Sequence, residues 1–258
     1  MTVIQNRPLP AHVHVPMIDP LVYLESPPLT VAENIALDRL LMQAVGDDTM
    51  PEHLRLYSYT DEAVVLGISQ QPDQYVTTAL CREDGIAVLK RFSGGGTVCI
   101  DAGCVVYSVI VKTGRRVKAF NVRDAYRYVF SPIIEQFAHH GTTVSFFPPC
   151  DLAVQLRKIA GNAQAQKHGA ILVHGSFLVH ADIERIERYL KHPAEEPEYR
   201  SGRSHNMFLA NLSEFGYSCD SVADLLKHAW TEQDGNCTVK PELVEKAIAE
   251  AGKLQVSG

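Results

Sequence analysis

The sequence predicts an α+β fold with antiparallel or mixed sheets flanked by helices. Three observations predict it. The elements follow one another as helix, strands, helix, strands, helices, an order that groups the two kinds instead of alternating them. The 258 residues contain no internal repeat, low-complexity tract or clear linker, which points to a single domain. Hydrophobic residues make up 46% of the chain and charged residues 21%, ordinary values for a globular protein with a sizeable core.

Residues 1–20 contain Pro and His without periodicity and read as a loose N-terminal arm, leaving residues 21–258 as the domain. In "LTVAENIALDRLLMQAV", Val31, Ile35, Leu40 and Leu41 fall near helical spacing, and Thr30 with Glu33 forms a capping-box pattern at the helix start. "LRLYSYT" and "AVVLGIS" are β-rich runs separated by "DE", read as adjacent strands. "GIAVLKRFS" is a strand running into three glycines, and "GCVVYSVIVK" is a strand after them. Over residues 121–139, Val122, Tyr126, Val129, Phe130, Ile133 and Phe137 form one helical stripe, with Pro132 expected to kink or interrupt it. "TTVSFFP" is a strand ending at Pro148 and Pro149. The segment from Asp151 to His180 reads as strand, turn, strand and a further long strand-like run. Residues 182–191 are helical in pattern, "KHPAEEPEYRSGRSHN" is a polar loop, and helices near 221–230 and 241–253 follow.

The formal net charge of −6 gives no overall basic footprint of the kind nucleic-acid binders carry. Cys81, Cys99, Cys104, Cys150, Cys219 and Cys237 form no CxxC pair, and their spacing suggests neither a zinc site nor a disulfide framework. The N-terminus has no charged segment followed by an apolar one, as a secretory signal would. No stretch approaches the ~18 apolar residues of a membrane span. The expectation is a cytoplasmic, monomeric protein with reduced thiols that binds neither nucleic acid nor membrane.

The candidate site starts at "RFSGGGTVCIDAG", Arg91 to Gly103. Three glycines remove every Cβ from a surface about 10 Å long, at ~3.3 Å per residue. A ligand can lie against such a backbone and take hydrogen bonds from its N–H groups, with Arg91 adding charge and Ser93 and Thr97 adding hydroxyls. A tight turn or bulge between strands accounts for the glycines equally well. The run is neither G-x-G-x-x-G opening a helix nor a P-loop. A second segment, "RKIAGNAQ", sets Lys158 beside a small-residue turn, where a lysine can face a carboxylate, a phosphate or a developing oxyanion. A third, "LVHGSFL", sets His174 before a glycine. Taken singly, Lys158 reads as a solvated lysine and His174 as a hydrogen-bonded strand histidine.

Together and in this order, "RFSGGGTV", "DLAV…RKIAGNAQ" and "HGSFL" resemble the lipoate–protein ligase A branch of the biotin/lipoyl ligase superfamily, over roughly residues 20 to 215. The resemblance implies a biotin/lipoyl ligase-like (class II synthetase-like) catalytic domain. It implies that Arg91, Ser93, Gly94, Gly95, Gly96 and Thr97 line a lipoyl or octanoyl tunnel, and that Lys158 meets the acyl carboxylate. It further implies that Gly161 and Ala163 leave room for the chain, that Asp151 positions the lysine strand or contacts the nucleotide, and that His174 belongs to the far wall. Asp101 is the aspartate kept after the glycines, where many members carry aromatic-His-Asp; Cys99 and Ile100 precede it here, and the histidine is absent.

Cys150 stands where many ligases have the Asn of "N-D-L". Related acyltransferases form a thioester on a cysteine of this loop, several residues further from the lysine. The thiol therefore reads either as a small loop residue or as a nucleophile. Ligases of this family often carry a C-terminal accessory domain. This chain ends about forty-five residues after Ser213, which implies a separate accessory protein or the use of preactivated acyl groups.

The implied activity is lipoate–protein ligation. Lipoate or octanoate reacts with ATP, whose Mg2+ comes with the nucleotide because no dedicated metal-ligand cluster is visible, to give an acyl-AMP. The acyl group then passes to a lysine on the lipoyl domain of a partner, such as the acyltransferase subunit of a 2-oxoacid dehydrogenase or the glycine-cleavage H protein. The alternatives are an ATP-independent octanoyl or lipoyl transferase, acting through Cys150 or directly, and a non-catalytic lipoyl-binding homologue. The "G-R-G-R" run of biotin ligases is missing.

Overall fold

The computed structural model describes residues 20–114 and 121–256, so the expected N-terminal arm lies outside the described residues except for Pro20. In chain order the elements are β1 (Leu21–Glu25), α1 (Val31–Gly46), β2 (His53–Tyr57), β3 (Ala63–Leu66), α2 (Pro72–Tyr75), α3 (Thr78–Glu83), β4 (Ala87–Lys90), β5 (Val98–Ile100) and β6 (Cys104–Lys112). They continue with α4 (Val122–His139), β7 (Ser145–Phe147), β8 (Asp151–Val154), β9 (Arg157–Lys167), β10 (Ala170–Leu178), α5 (Ile183–Tyr189), α6 (His205–Phe208), α7 (Cys219–Trp230), β11 (Thr231–Thr238) and α8 (Pro241–Ala251).

Two sheets result. The larger runs β11-β1-β2-β6-β10-β9-β8-β7, and the smaller is β4-β3-β5. The long antiparallel strands β6, β10 and β9 form its centre, paired residue by residue from Cys104–Leu178 to Lys112–Ala170. Their alternation separates two cores. On β6, Tyr107, Val109 and Val111 face the cluster built by α4 and α7, with Phe130, Ile133, Phe137 and Trp230. Ile110 faces the cluster built by α1 and α8, and Val106 meets the smaller sheet around Val31 and Ile35. The smaller sheet therefore lies on the α1 side, and the space between the two sheets is where the site forms.

The expected elements are present, with three corrections. β2 and β3 are not adjacent: β2 lies between β1 and β6, whereas β3 is the middle strand of the other sheet. All four residues of β3 are buried, as a strand covered on both faces requires. α4 runs without a break through Pro132, with the Ser131 hydroxyl donating to the Arg127 carbonyl within the turn before it. Its first stripe residue, Val122, is exposed. Three strands were not expected: β5, between the glycines and β6, and β1 and the polar β11, which pair in parallel at one edge of the large sheet.

α1 starts as its sequence indicates: the Glu33 amide donates to Thr30 Oγ1 at 3.2 Å and the Thr30 amide to Glu33 Oε2 at 2.8 Å. Both bonds satisfy donors that the first helical turn leaves free. Thr30→Ala is expected to lower the unfolding free energy by about 1 kcal/mol. A denaturant titration should show the midpoint shifting with the slope unchanged.

Candidate active site

The glycine run bridges the two strands that flank β3. It leaves β4, crosses the end of β3 and enters β5, which pairs with β3 on its other side. Glycines have no side chains to fix such a crossing, and Arg91 does so from within. Its buried guanidinium donates to the carbonyls of Gly94 (2.6 Å), Gly96 (2.7 Å) and Val65 (3.2 Å), and Nε donates to Ser93 Oγ at 3.0 Å. Burial brings the Arg91 guanidinium down to about 10, so it stays charged at neutral pH. Two positions need glycine on steric grounds. Gly95 has φ +87°, and a Cβ there would stand 3.0 Å from the Arg91 guanidinium and 3.1 Å from the Ala163 Cβ. At Gly67 a Cβ would meet the Gly95 carbonyl at 2.2 Å. The Gly94 amide donates to the Gln164 carbonyl, docking the run on β9.

Lys158 projects from the β8–β9 hairpin. Its Nζ lies 2.7 Å from Asp151 Oδ1, and the second Asp151 oxygen accepts from the Tyr199 hydroxyl at 2.8 Å. Burial acts against the Lys158 charge, but its neighbours, the Asp151 carboxylate first among them, together outweigh this and raise its pKa above the usual lysine value. Cys150, next in sequence to Asp151, has the opposite problem. Burial and then the Asp151 charge push its thiol up to about 11, and Lys158 only partly offsets them. A Cβ on Gly161 would stand 3.3 Å from Lys158 Cε, so this glycine makes room for the lysine. Asn162 locks the loop: it accepts from the Tyr107 hydroxyl at 2.7 Å and donates to the Cys150 carbonyl at 2.8 Å.

Two cavities meet at this point. The inner one, about 80 Å3, is walled by Val31 and Ile35 of α1, by Tyr57 and Tyr59, and by Val65, Ile100 and Val106 from the two sheets. The outer one, about 550 Å3, lies beneath the segment from Pro193 to Leu209. Gly96, Thr97, Val98, Cys150, Lys158, Gly161 and Ser176 line both. The site is thus a largely apolar pocket that carries a lysine where it meets a larger cavity of mixed lining.

Most of the residues read from sequence converge here. Arg91, Ala163 and His174 line the inner cavity, and Gly95 and Asp151 the outer. Ser93 and Gly94 line neither and act from behind the wall. Asp101 also lines neither: its carboxylate accepts from the amides of Gly103 and Asp182, each at 2.8 Å, closing the turn into β6 and tying it to the start of α5. The sequence reading missed the inner end. Val31 and Ile35 follow the helical period of core residues, and Tyr57 and Tyr59 belong to a strand and the link after it, so no local pattern distinguishes a cavity wall from a core. It also missed Lys191 and Arg200, which face the outer cavity from a stretch read as a polar loop. No cluster of His, Cys, Asp or Glu among the described residues is arranged to hold a metal ion. No helix among them is long and apolar enough to cross a membrane.

The architecture is a mixed sheet with a second small sheet beside it and a lysine at the mouth of a pocket between them. The chain belongs to the lipoyl protein ligase A/B catalytic-domain family, whose model matches residues 30–231. It is 27% identical over 201 residues to an octanoyltransferase LipM of Anoxybacillus flavithermus, covering 69% of this chain and 72% of that one. It is 28% identical over 201 residues to the lipoate-protein ligase LplJ of Bacillus subtilis, covering 76% of this chain and 59% of that one. Among solved structures, a lipoate-protein ligase A bound with ATP superposes with a TM-score of 0.75 at 20% identity, over 91% of this chain and 95% of that one.

The two exposed glycines separate fold from site. Gly95→Ala should cost about 1–2 kcal/mol of stability, because it combines a left-handed backbone with close contacts. Gly96→Ala should change stability by less than about 0.5 kcal/mol, since its Cβ meets no atom within 4 Å, and should weaken acyl binding instead. Thermal unfolding and ligand titration of both variants check this. A thiol at about 11 also makes Cys150 slow to alkylate. Its iodoacetamide rate at pH 7.5 should fall about 300-fold below that of a free cysteine and should keep rising as the pH approaches 11.

Proposed function

We propose that this protein is a lipoate–protein ligase that activates lipoate or octanoate with ATP and transfers the acyl group to a lysine of a lipoyl domain. The observation that carries the reading is the Lys158–Asp151 pair at the junction of the two cavities, beside a cysteine thiol that stays protonated. The acyl chain occupies the inner cavity, whose lining is mostly apolar. The edge-to-face Tyr57–Tyr59 pair, with ring centroids 5.7 Å apart, suits the sulfur ring at the end of lipoate. The acyl carboxylate then lies at Lys158 Nζ.

The outer cavity fits a nucleotide co-substrate. It is large enough, and Lys158, Lys191 and Arg200 line it, with Lys158 and Arg200 paired to Asp151 and Glu196 and able to exchange those partners for phosphate. Mg2+ enters with the nucleotide and supplies charge neutralisation. In the first half-reaction a carboxylate oxygen bonds to the α-phosphorus and pyrophosphate leaves. In the second the acceptor amine bonds to the acyl carbon and AMP leaves. Lys158 offsets the charge that grows at the acyl oxygens in both steps, where an electrostatic contact accelerates a reaction. Asp151 holds Lys158 charged and pointed at the junction before substrate arrives. The acceptor is a lipoyl domain, and a separate accessory chain is compatible with the wide outer opening.

A second reading has its own observation: Cys150 lines both cavities within the electrostatic reach of Lys158. An octanoyl group arriving on a carrier would then pass through a Cys150 thioester without ATP, as befits a likeness to octanoyltransferases. A thiol at about 11 counts against it, because the thiolate is the nucleophile.

Intact-mass analysis of an apo lipoyl domain, incubated with lipoate or octanoate with and without Mg·ATP, decides between them. The expected result is ATP-dependent acylation. Lys158→Ala should reduce it by about 100-fold or more. Cys150→Ala should leave it within about threefold. Acylation only from an octanoylated carrier, with an acyl adduct on Cys150, would establish the transferase instead.

A further inference from the structure

Behind the inner cavity runs a chain of hydrogen bonds that the reading above does not use. Asp38 projects from α1 and is completely buried. Its Oδ1 accepts from Arg55 (2.8 Å) and Ser108 (3.0 Å), and its Oδ2 from the Tyr57 hydroxyl (2.9 Å), with His174 Nδ1 at 3.3 Å from the same oxygen. His174 Nε2 lies 2.7 Å from Ser93 Oγ, which in turn accepts from Arg91 Nε. We propose that Asp38, which touches no substrate, is a positioning residue of the acyl site: it fixes His174 in one tautomer and, through Ser93, holds the glycine wall against the inner cavity. This rests on the reading that the acyl chain occupies that cavity.

A carboxylate only accepts, so His174 Nδ1 carries the proton that faces Asp38. Nε2 faces Ser93 Oγ, a hydroxyl that accepts from Arg91 Nε and has a proton of its own to donate to a bare Nε2. In that arrangement the donors run Arg91 to Ser93 to His174 to Asp38. His174 lines the inner cavity and the Arg91 guanidinium gathers the wall's carbonyls, so the carboxylate sets the position of both.

Serine, histidine and aspartate in this order resemble a nucleophile and its base. The surroundings exclude that role. Ser93 is 1% exposed and lines neither cavity, so no acyl carbon reaches its oxygen.

The test begins with the unmodified full-length protein, labelled with 15N-histidine, with His174→Gln used to assign the ring signals. The expected spectrum is the neutral Nδ1–H tautomer; an Nε2–H tautomer or an imidazolium at pH 7.5 would overturn the proposal. Asp38→Asn follows. Arg55 and Ser108 hold the amide oxygen at the Oδ1 position, which turns its NH2 toward His174 Nδ1 and forces the Nε2–H tautomer. A role confined to stability would lower the melting temperature and leave the tautomer alone.

Octanoate affinity, measured by calorimetry, is expected to weaken about tenfold in Asp38→Asn and in Ser93→Ala, the scale of one buried hydrogen bond lost. Should Asp38→Asn fail to fold, Ser93→Ala and the wild-type tautomer still decide. Unchanged affinity in the variants that fold would sink the proposal, as would a fluorophosphonate adduct mapped to Ser93. No octanoate or lipoate binding by the wild type would instead overturn the acyl-site reading, with the tautomer judging Asp38 by itself.

Discussion

A buried guanidinium gathering bare carbonyls is the contact on which this site depends. A run of three glycines has the highest conformational entropy to lose and no side chain with which to hold a shape. Arg91 supplies the shape from behind, with its donors spent on the Gly94, Gly96 and Val65 carbonyls and on Ser93. The outer face of the run is left free for a ligand because its inner face is fully engaged. The same economy recurs nearby. Gly67 lets the Gly95 carbonyl approach, Gly161 makes space for Lys158, and Gly175 accommodates Asn162, whose Oδ1 would stand 2.0 Å from a Cβ. Each small residue is small on account of a particular polar neighbour.

The electrostatics of the junction follow from one carboxylate serving two neighbours in opposite ways. Asp151 stabilises the positive charge of Lys158 and disfavours a negative one on Cys150. A site that needs a permanent cation and an inert thiol is served by this arrangement, and a site that needs a thiolate is not. Tyr199 completes the anchoring of Asp151 and stacks on Phe147 with centroids 4.2 Å apart, so the segment over the outer cavity is fixed to the same carboxylate that orients the lysine.

Much of this was legible in the sequence, for reasons that differ by residue. The capping box of α1, the stripe of α4 and the long strands of the sheet centre follow local rules of period and capping, and they appear where those rules put them. Lys158 and the glycine run were legible because three short motifs stand in a fixed order. The partition of β2 and β3 between two sheets was not, since a run of β-formers does not say which neighbour it will pair with. β11 was not either: it is a polar edge strand without alternation, and its pairing with β1 comes from tertiary context. Asp38 and Asn34 occupy successive turns of an apolar helix, and Asn34, like Asp38, accepts from Arg55. Two polar residues four apart on a buried face signal a partner, but the partner lies on another strand and only the fold reveals it. Asp101 shows the reverse case, in which a motif position is kept and its carboxylate serves the backbone.

The parallel pairing of β1 with β11 has a consequence for how the chain is made. Glu25 and Asn236, which meet across this edge, are 211 residues apart in sequence. During synthesis β1 leaves the ribosome early, yet its outer rim has no partner until nearly the whole chain has emerged. Closing so long a loop is entropically costly and slow. For that interval the nascent sheet presents an unpaired margin, the kind of surface by which incomplete chains stick to one another. The strand that covers it at last, TEQDGNCT, is polar and ill suited to pairing with strangers. The finished molecule is thereby well protected along that edge, and the period of exposure belongs to biosynthesis alone.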